Sequence, residues 1–132
     1  MKRRILFYLI VFFAVVFFDS IASFASKTLE FDYAKLFWAS WCLYALVGFL
    51  GCKRFSFLDG IAAGFVAGLA DSTVGWFLSS AIGPYMPSIQ QQYSVAIVVI
   101  AIIVVTVMGT FFGLVGAVFC KLMTKVRGPA AA

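Results

Sequence analysis

Asp19 and Asp71 are carboxylates placed where carboxylates are costly. Asp19 falls in FFDSIASF and Asp71 in GFVAGLADSTVGWF, both within apolar runs long enough to cross a bilayer. An ionisable side chain at that depth costs on the order of 3 kcal/mol or more unless something compensates it, so it marks a candidate site for protons, ions or ligands. The two surroundings echo each other: DSIASF (19–24) and DSTVGW (71–76) both read Asp-Ser, two residues, a small residue and an aromatic. Chemistry open to such a pair includes protonation, sharing of one proton, hydrogen bonds from Ser20, Ser72, Thr73 or Ser79, and binding of a cation. Trp76, five residues after Asp71, adds an aromatic face of the kind that attracts cations. The sequence has no histidine, which removes the usual general base and the commonest metal and haem ligand.

The elements that carry these residues follow from composition. Of 132 residues, 64% are hydrophobic and 11% charged, and the mean hydropathy is +1.10, values of an integral membrane protein rather than a soluble domain. Apolar stretches at about 5–25, 34–52, 57–82 and 93–122 each approach the roughly 20 residues a spanning helix requires. The expected fold is all-α, with four transmembrane helices in one domain over residues 1–127 and a flexible, added tail at 128–132. Absence of alternation argues against a β-barrel. The β-branched run VAIVVIAIIVVTV is read as helix, because a lone strand cannot satisfy its backbone in lipid. MKRR, an apolar run and then SFA resemble a secretory signal peptide; the segment is read as a retained helix.

Basic residues set the expected topology. Lys2, Arg3 and Arg4 precede the first span, Lys53 and Arg54 join the second and third, and Lys121, Lys125 and Arg127 close the fourth. Lys27 and Lys35 share their loop with Glu30 and Asp32. The positive-inside rule puts both termini and the 53–54 turn in the cytoplasm, with sequential neighbours antiparallel, and a bacterial inner membrane is the expected location. The net charge of +5 is thus explained by topology, and no nucleic-acid partner is expected. Tyr33, Trp38, Trp41, Tyr85 and Tyr93 would form an outer aromatic belt and Tyr8 an inner marker. Asp19 lies fifteen residues after Arg4 and Asp71 seventeen after Arg54. At about 1.5 Å per residue both would stand roughly 22–25 Å above the basic clusters, as a parallel duplication of halves 1–52 and 53–122 would place them.

Small residues predict the packing. Gly60, Gly64 and Gly68 share one helix face with Ser72, and Gly109, Gly113 and Gly116 supply a second set at matching depth. Beyond the lipid bilayer, these seams suggest a homo-oligomer or membership of a larger membrane complex. Ser56 and Asp59 fit a helix start, Gly83-Pro84 a helix end, and Ser88 to Gln91 a second start.

The expected function is binding or translocation of a proton, a cation or a small cationic molecule. Asp71 would be the exchanging carboxylate, with Asp19, Ser72, Ser20, Thr73 and Trp76 around it. The architecture is similar to that of small four-helix multidrug transporters, whose carboxylate is a glutamate in the first helix; no motif is shared. One alternative is a non-catalytic accessory or scaffold subunit. Another is an intramembrane aspartyl-dyad enzyme, although Gly68-Leu69-Ala70-Asp71 lacks the second glycine of the Gly-x-Gly-Asp pattern of intramembrane aspartyl proteases. There is no Gly-rich phosphate loop, Ser/His/Asp set or metal-ligand spacing, and Cys42, Cys52 and Cys120 read as small apolar thiols. No enzyme activity, cofactor or metal is expected.

Overall fold

The computed structural model describes residues 1–86 and 94–126. The expectations for Tyr93, Arg127, the 88–91 helix start and the 128–132 tail lie outside the described residues. Among those described, every element is helical: α1 (Lys2–Leu29), a 3-10 turn (Tyr33–Leu36), α2 (Phe37–Arg54), α3 (Phe57–Ala70), a π turn (Asp71–Gly75), α4 (Trp76–Ile82) and α5 (Val95–Val126). Four segments, Lys2–Leu29, Tyr33–Arg54, Phe57–Ile82 and Val95–Lys125, are long and apolar enough to cross a membrane.

Local chemistry sets the element ends. Ser56 is extended, and its Oγ accepts the Asp59 backbone N–H at 3.2 Å, capping α3. The Asp59 carboxylate then takes the Tyr8 hydroxyl at 2.7 Å and Arg4 at 3.5 Å, which ties the start of α1 to the start of α3. At the far end, Gly83 adopts φ 72, a left-handed conformation that suits glycine, and its N–H returns to the Ser79 carbonyl. Lys27 donates to the Ile82 carbonyl at 2.7 Å, so this cation serves the α4 C-terminus rather than reaching down to the aspartates.

The glycine seam closes within the chain. A Cβ on Gly60 would meet that of Ala117 at 2.9 Å, one on Gly64 the Gly113 Cα at 2.5 Å, and one on Gly68 the Thr106 Cα at 3.0 Å. Gly48 of α2 meets Gly113 as well, and Gly116 meets Ala45. Backbones this close leave no room for a side chain, which is how helices gain van der Waals contact where lipid removes the hydrophobic drive. On the other side of α3, Val11, Val15 and Val16 of α1 pack over Ala63, Ala67 and Ala70.

The third span is interrupted where an unbroken helix is expected. The Trp76 N–H reaches back five residues to the Asp71 carbonyl. The preceding turn carries two hydroxyls that fold back onto its own carbonyls, Ser72 to Gly68 at 2.8 Å and Thr73 to Leu69 at 2.5 Å. Such bonds compete with the regular ladder and bend helices, and π turns recur at functional sites. α1 is regular through Asp19, so the two Asp-Ser segments differ in backbone despite their similar sequences.

Candidate functional site

Asp71 opens the π turn, and Asp19 approaches that turn from α1. A Cβ on Gly75 would stand 2.9 Å from the Asp19 Oδ2, so the missing side chain is what lets the carboxylate sit there. Each carboxylate accepts a tyrosine hydroxyl from a different element: Tyr33, on the 3-10 turn, donates to Asp19, and Tyr44, on α2, donates to Asp71. Tyr44 is 2% exposed and Asp19 4%.

Loop chemistry holds Tyr33 over the site. The Asp32 side chain accepts the Ala34 N–H at 3.1 Å and caps the 3-10 turn. Ser26 donates to the Phe31 carbonyl at 2.7 Å, and the Tyr33 N–H donates to the Tyr85 carbonyl at 3.0 Å. Together these bonds fold the 31–36 segment onto the ends of α1 and α4. Ser23 and Ser79, both buried, meet at 2.5 Å and join α1 to α4 one turn above Asp19.

Both carboxylates face a cavity of about 330 Å³ between α1, α2, α5 and the 3-10 turn. Its walls include Tyr33, Phe37, Trp41 and Tyr44, closed on the α5 side by Val104, Val105 and Met108, and no lysine or arginine lines it. Trp41 is held by stacking on Phe112, with ring centroids 4.9 Å apart. Asp19, Asp71 and Tyr33 also line a second cavity, of about 140 Å³, whose other walls include Ser72, Ser79, Ser80 and Trp76. The carboxylates therefore stand between an aromatic compartment and a smaller one rich in hydroxyls.

The remaining sequence candidates divide. Ser72 and Trp76 border the smaller compartment, but the Ser72 hydroxyl bonds the Gly68 carbonyl and lies 3.4 Å from the Thr106 hydroxyl rather than meeting a carboxylate. Ser20 bonds the Val16 carbonyl at 2.8 Å and borders an outer groove with Phe13 and Phe17. Thr73 bonds Leu69 and borders an outer cleft with Phe77. In each case a carbonyl three or four residues back satisfies the hydroxyl locally, and helical geometry turns Ser20 and Thr73 away from the aspartates. Asp19 is buried and Asp71 half-buried, and Tyr33 of the 31–36 segment is the residue that bonds the Asp19 carboxylate.

Tyr44, Phe37 and the inward roles of Tyr33 and Trp41 escape the sequence reading, which places Tyr33 and Trp41 in an interfacial belt. A signal was present: Phe37, Trp41 and Tyr44 recur at i, i+4 and i+7 on one helix face.

The chain matches no protein-family model, no curated protein and no solved structure. Its chemistry is therefore argued from geometry. Two carboxyl groups face the cavity, each bonded by a tyrosine hydroxyl, and aromatic faces line the space in front. That combination is complementary to a small cation with an apolar body.

Proposed function

We propose that this chain is a multi-pass membrane protein that binds or translocates a small organic cation in exchange for protons, using Asp71 and Asp19. The observation that carries this reading is the cavity of about 330 Å³ lined by both carboxylates and five aromatic rings with no basic side chain. Burial favours the neutral carboxylic acid, and an entering cation favours the carboxylate, so the two states can alternate. A volume at the lower end of ligand sites suits a compact organic ammonium ion.

Asp71 is the exchanging group in this scheme and Asp19 its partner, while Tyr33 and Tyr44 hold the carboxylates in position. Separate tyrosine donors favour a cation site over an aspartyl dyad, in which two carboxyls share one proton. We assign no enzyme activity. The opposed order of glycine partners supports antiparallel α3 and α5, and the basic residues at 2–4, 53–54, 121 and 125 support cytoplasmic termini in a bacterial inner membrane. Few residues of α5 are buried within the chain, which is what an accessory-subunit reading would draw on; lipid covers such a helix equally well.

Reconstitution into vesicles containing a pH-sensitive dye tests the proposal. Adding benzyltrimethylammonium outside should drive a proton flux that empty vesicles lack and that Asp71→Asn abolishes. Equal flux in wild-type and variant vesicles would remove Asp71 from the cycle.

A further inference from the structure

Another pocket lies at the N-terminal end of α1, away from Asp19 and Asp71. Among the described residues the one ion pair is Arg4 with Asp59, and Arg4 also lies over the Phe55 ring at 5.9 Å. Arg3 and Arg54 take no part in that pair. They come from places 51 residues apart in sequence and line one pocket of about 320 Å³ between α1 and the α2–α3 turn. Phe7 and Phe55, packed edge to face at 5.5 Å, are also among its lining residues.

The pocket does not stop at the arginines. Leu6 and Ile10 belong both to it and to a long open groove that continues along α1 past Phe13 and Phe17 to Leu78 of α4. Leu6, Ile10, Phe13 and Phe17 recur at i, i+4, i+7 and i+11, and all are more than half exposed. At about 1.5 Å per residue this stripe runs roughly 16 Å, near half of a hydrocarbon core about 30 Å thick and so one leaflet deep. Two guanidinium groups at the head of an apolar track one leaflet long match one kind of occupant.

We propose that this groove seats a single anionic phospholipid, with its phosphate held by Arg3 and Arg54 and an acyl chain laid along Leu6, Ile10, Phe13 and Phe17. Arginine suits the role because its planar fork pairs with phosphate oxygens in a way lysine does not. A bound lipid would bridge α1 to the α2–α3 turn, beside the Tyr8–Asp59 contact that joins the same elements.

Native mass spectrometry of the full chain, released from micelles holding equal amounts of phosphatidylglycerol and phosphatidylcholine, tests this. Wild type should retain phosphatidylglycerol preferentially. The Arg3→Gln/Arg54→Gln variant should lose that preference by roughly 30-fold, from two surface-near charges. A Lys2→Gln/Lys53→Gln variant, which removes the same charge nearby, should keep most of it. Should the double arginine variant fail to fold, Arg54→Gln alone should lose roughly fivefold. Unchanged retention in the arginine variants, or equal loss in the lysine variant, would overturn the site. So would displacement of the lipid by millimolar inorganic phosphate, since that would mean a simple anion site with no use for the acyl track.

Discussion

The carboxylate of Asp19 occupies the space that a side chain on Gly75 would need, on the π turn that Asp71 opens. A Cβ there would meet Asp19 Oδ2 at 2.9 Å and the Ala70 carbonyl at 3.2 Å. One glycine thus sets the distance between α1 and the interrupted third span, and with it the position of one carboxylate at the site. Gly75→Ala should destabilise the protein by about 1–3 kcal/mol through overpacking. Much of that loss should vanish in an Asp19→Ala background, where the closest contact is gone and the Ala70 carbonyl at 3.2 Å remains, and a double-mutant cycle in denaturing detergent measures the coupling.

Tyr44→Phe leaves Asp71 without its hydroxyl donor while keeping the ring. Because the pair lies in the interior, the substitution should cost about 1–3 kcal/mol. The cost should shrink in Asp71→Ala, where no carboxylate is left to satisfy. Equal cost in both backgrounds would assign Tyr44 to ring packing alone.

The buried Ser23–Ser79 pair predicts an asymmetry. Ser23→Ala or Ser79→Ala alone strands one hydroxyl between α1 and α4 and should cost about 1–3 kcal/mol. The double alanine variant should cost less than the sum of the two, because no orphaned hydroxyl remains. Additive losses would show that the two hydroxyls do not depend on each other.

The seam should tolerate nothing larger than glycine at its centre. Gly64→Ala places a methyl group 2.5 Å from the Gly113 Cα, against backbone that cannot swing aside. It should lower the unfolding midpoint far more than Ala62→Gly, at a half-buried position on the same helix, where the expected cost is about 1 kcal/mol of helix propensity.

How much of this could be read from sequence depended on whether the information was local. Apolar runs of spanning length, the Ser56 cap and the Gly83 end all follow from a few neighbouring residues, and four helices emerge with ends within several residues of expectation. Asp19 and Asp71 line one cavity, a meeting that similar distances along two helices allow because helical rise is constant. The π turn was not legible, since it depends on Ser72 and Thr73 folding back and on what faces Gly75 across the bundle. The bond from the Tyr33 hydroxyl to Asp19 was not legible for a similar reason. A tyrosine near a membrane end looks interfacial, and only the bonds of Ser26 and Tyr85 to its segment turn it inward over Asp19.

A cation site built on Asp71 and Asp19 should bind benzyltrimethylammonium directly in the purified protein. Titration calorimetry should show saturable binding that weakens as pH falls, because each proton taken up by a carboxylate removes the charge the cation needs. Asp71→Asn, with its fold verified by circular dichroism, should weaken binding roughly tenfold to a hundredfold, the effect of losing an interaction with a charged group. Binding of equal strength in a folded Asp71→Asn/Asp19→Asn variant, with no dependence on pH, would mean that these carboxylates do not hold the cation.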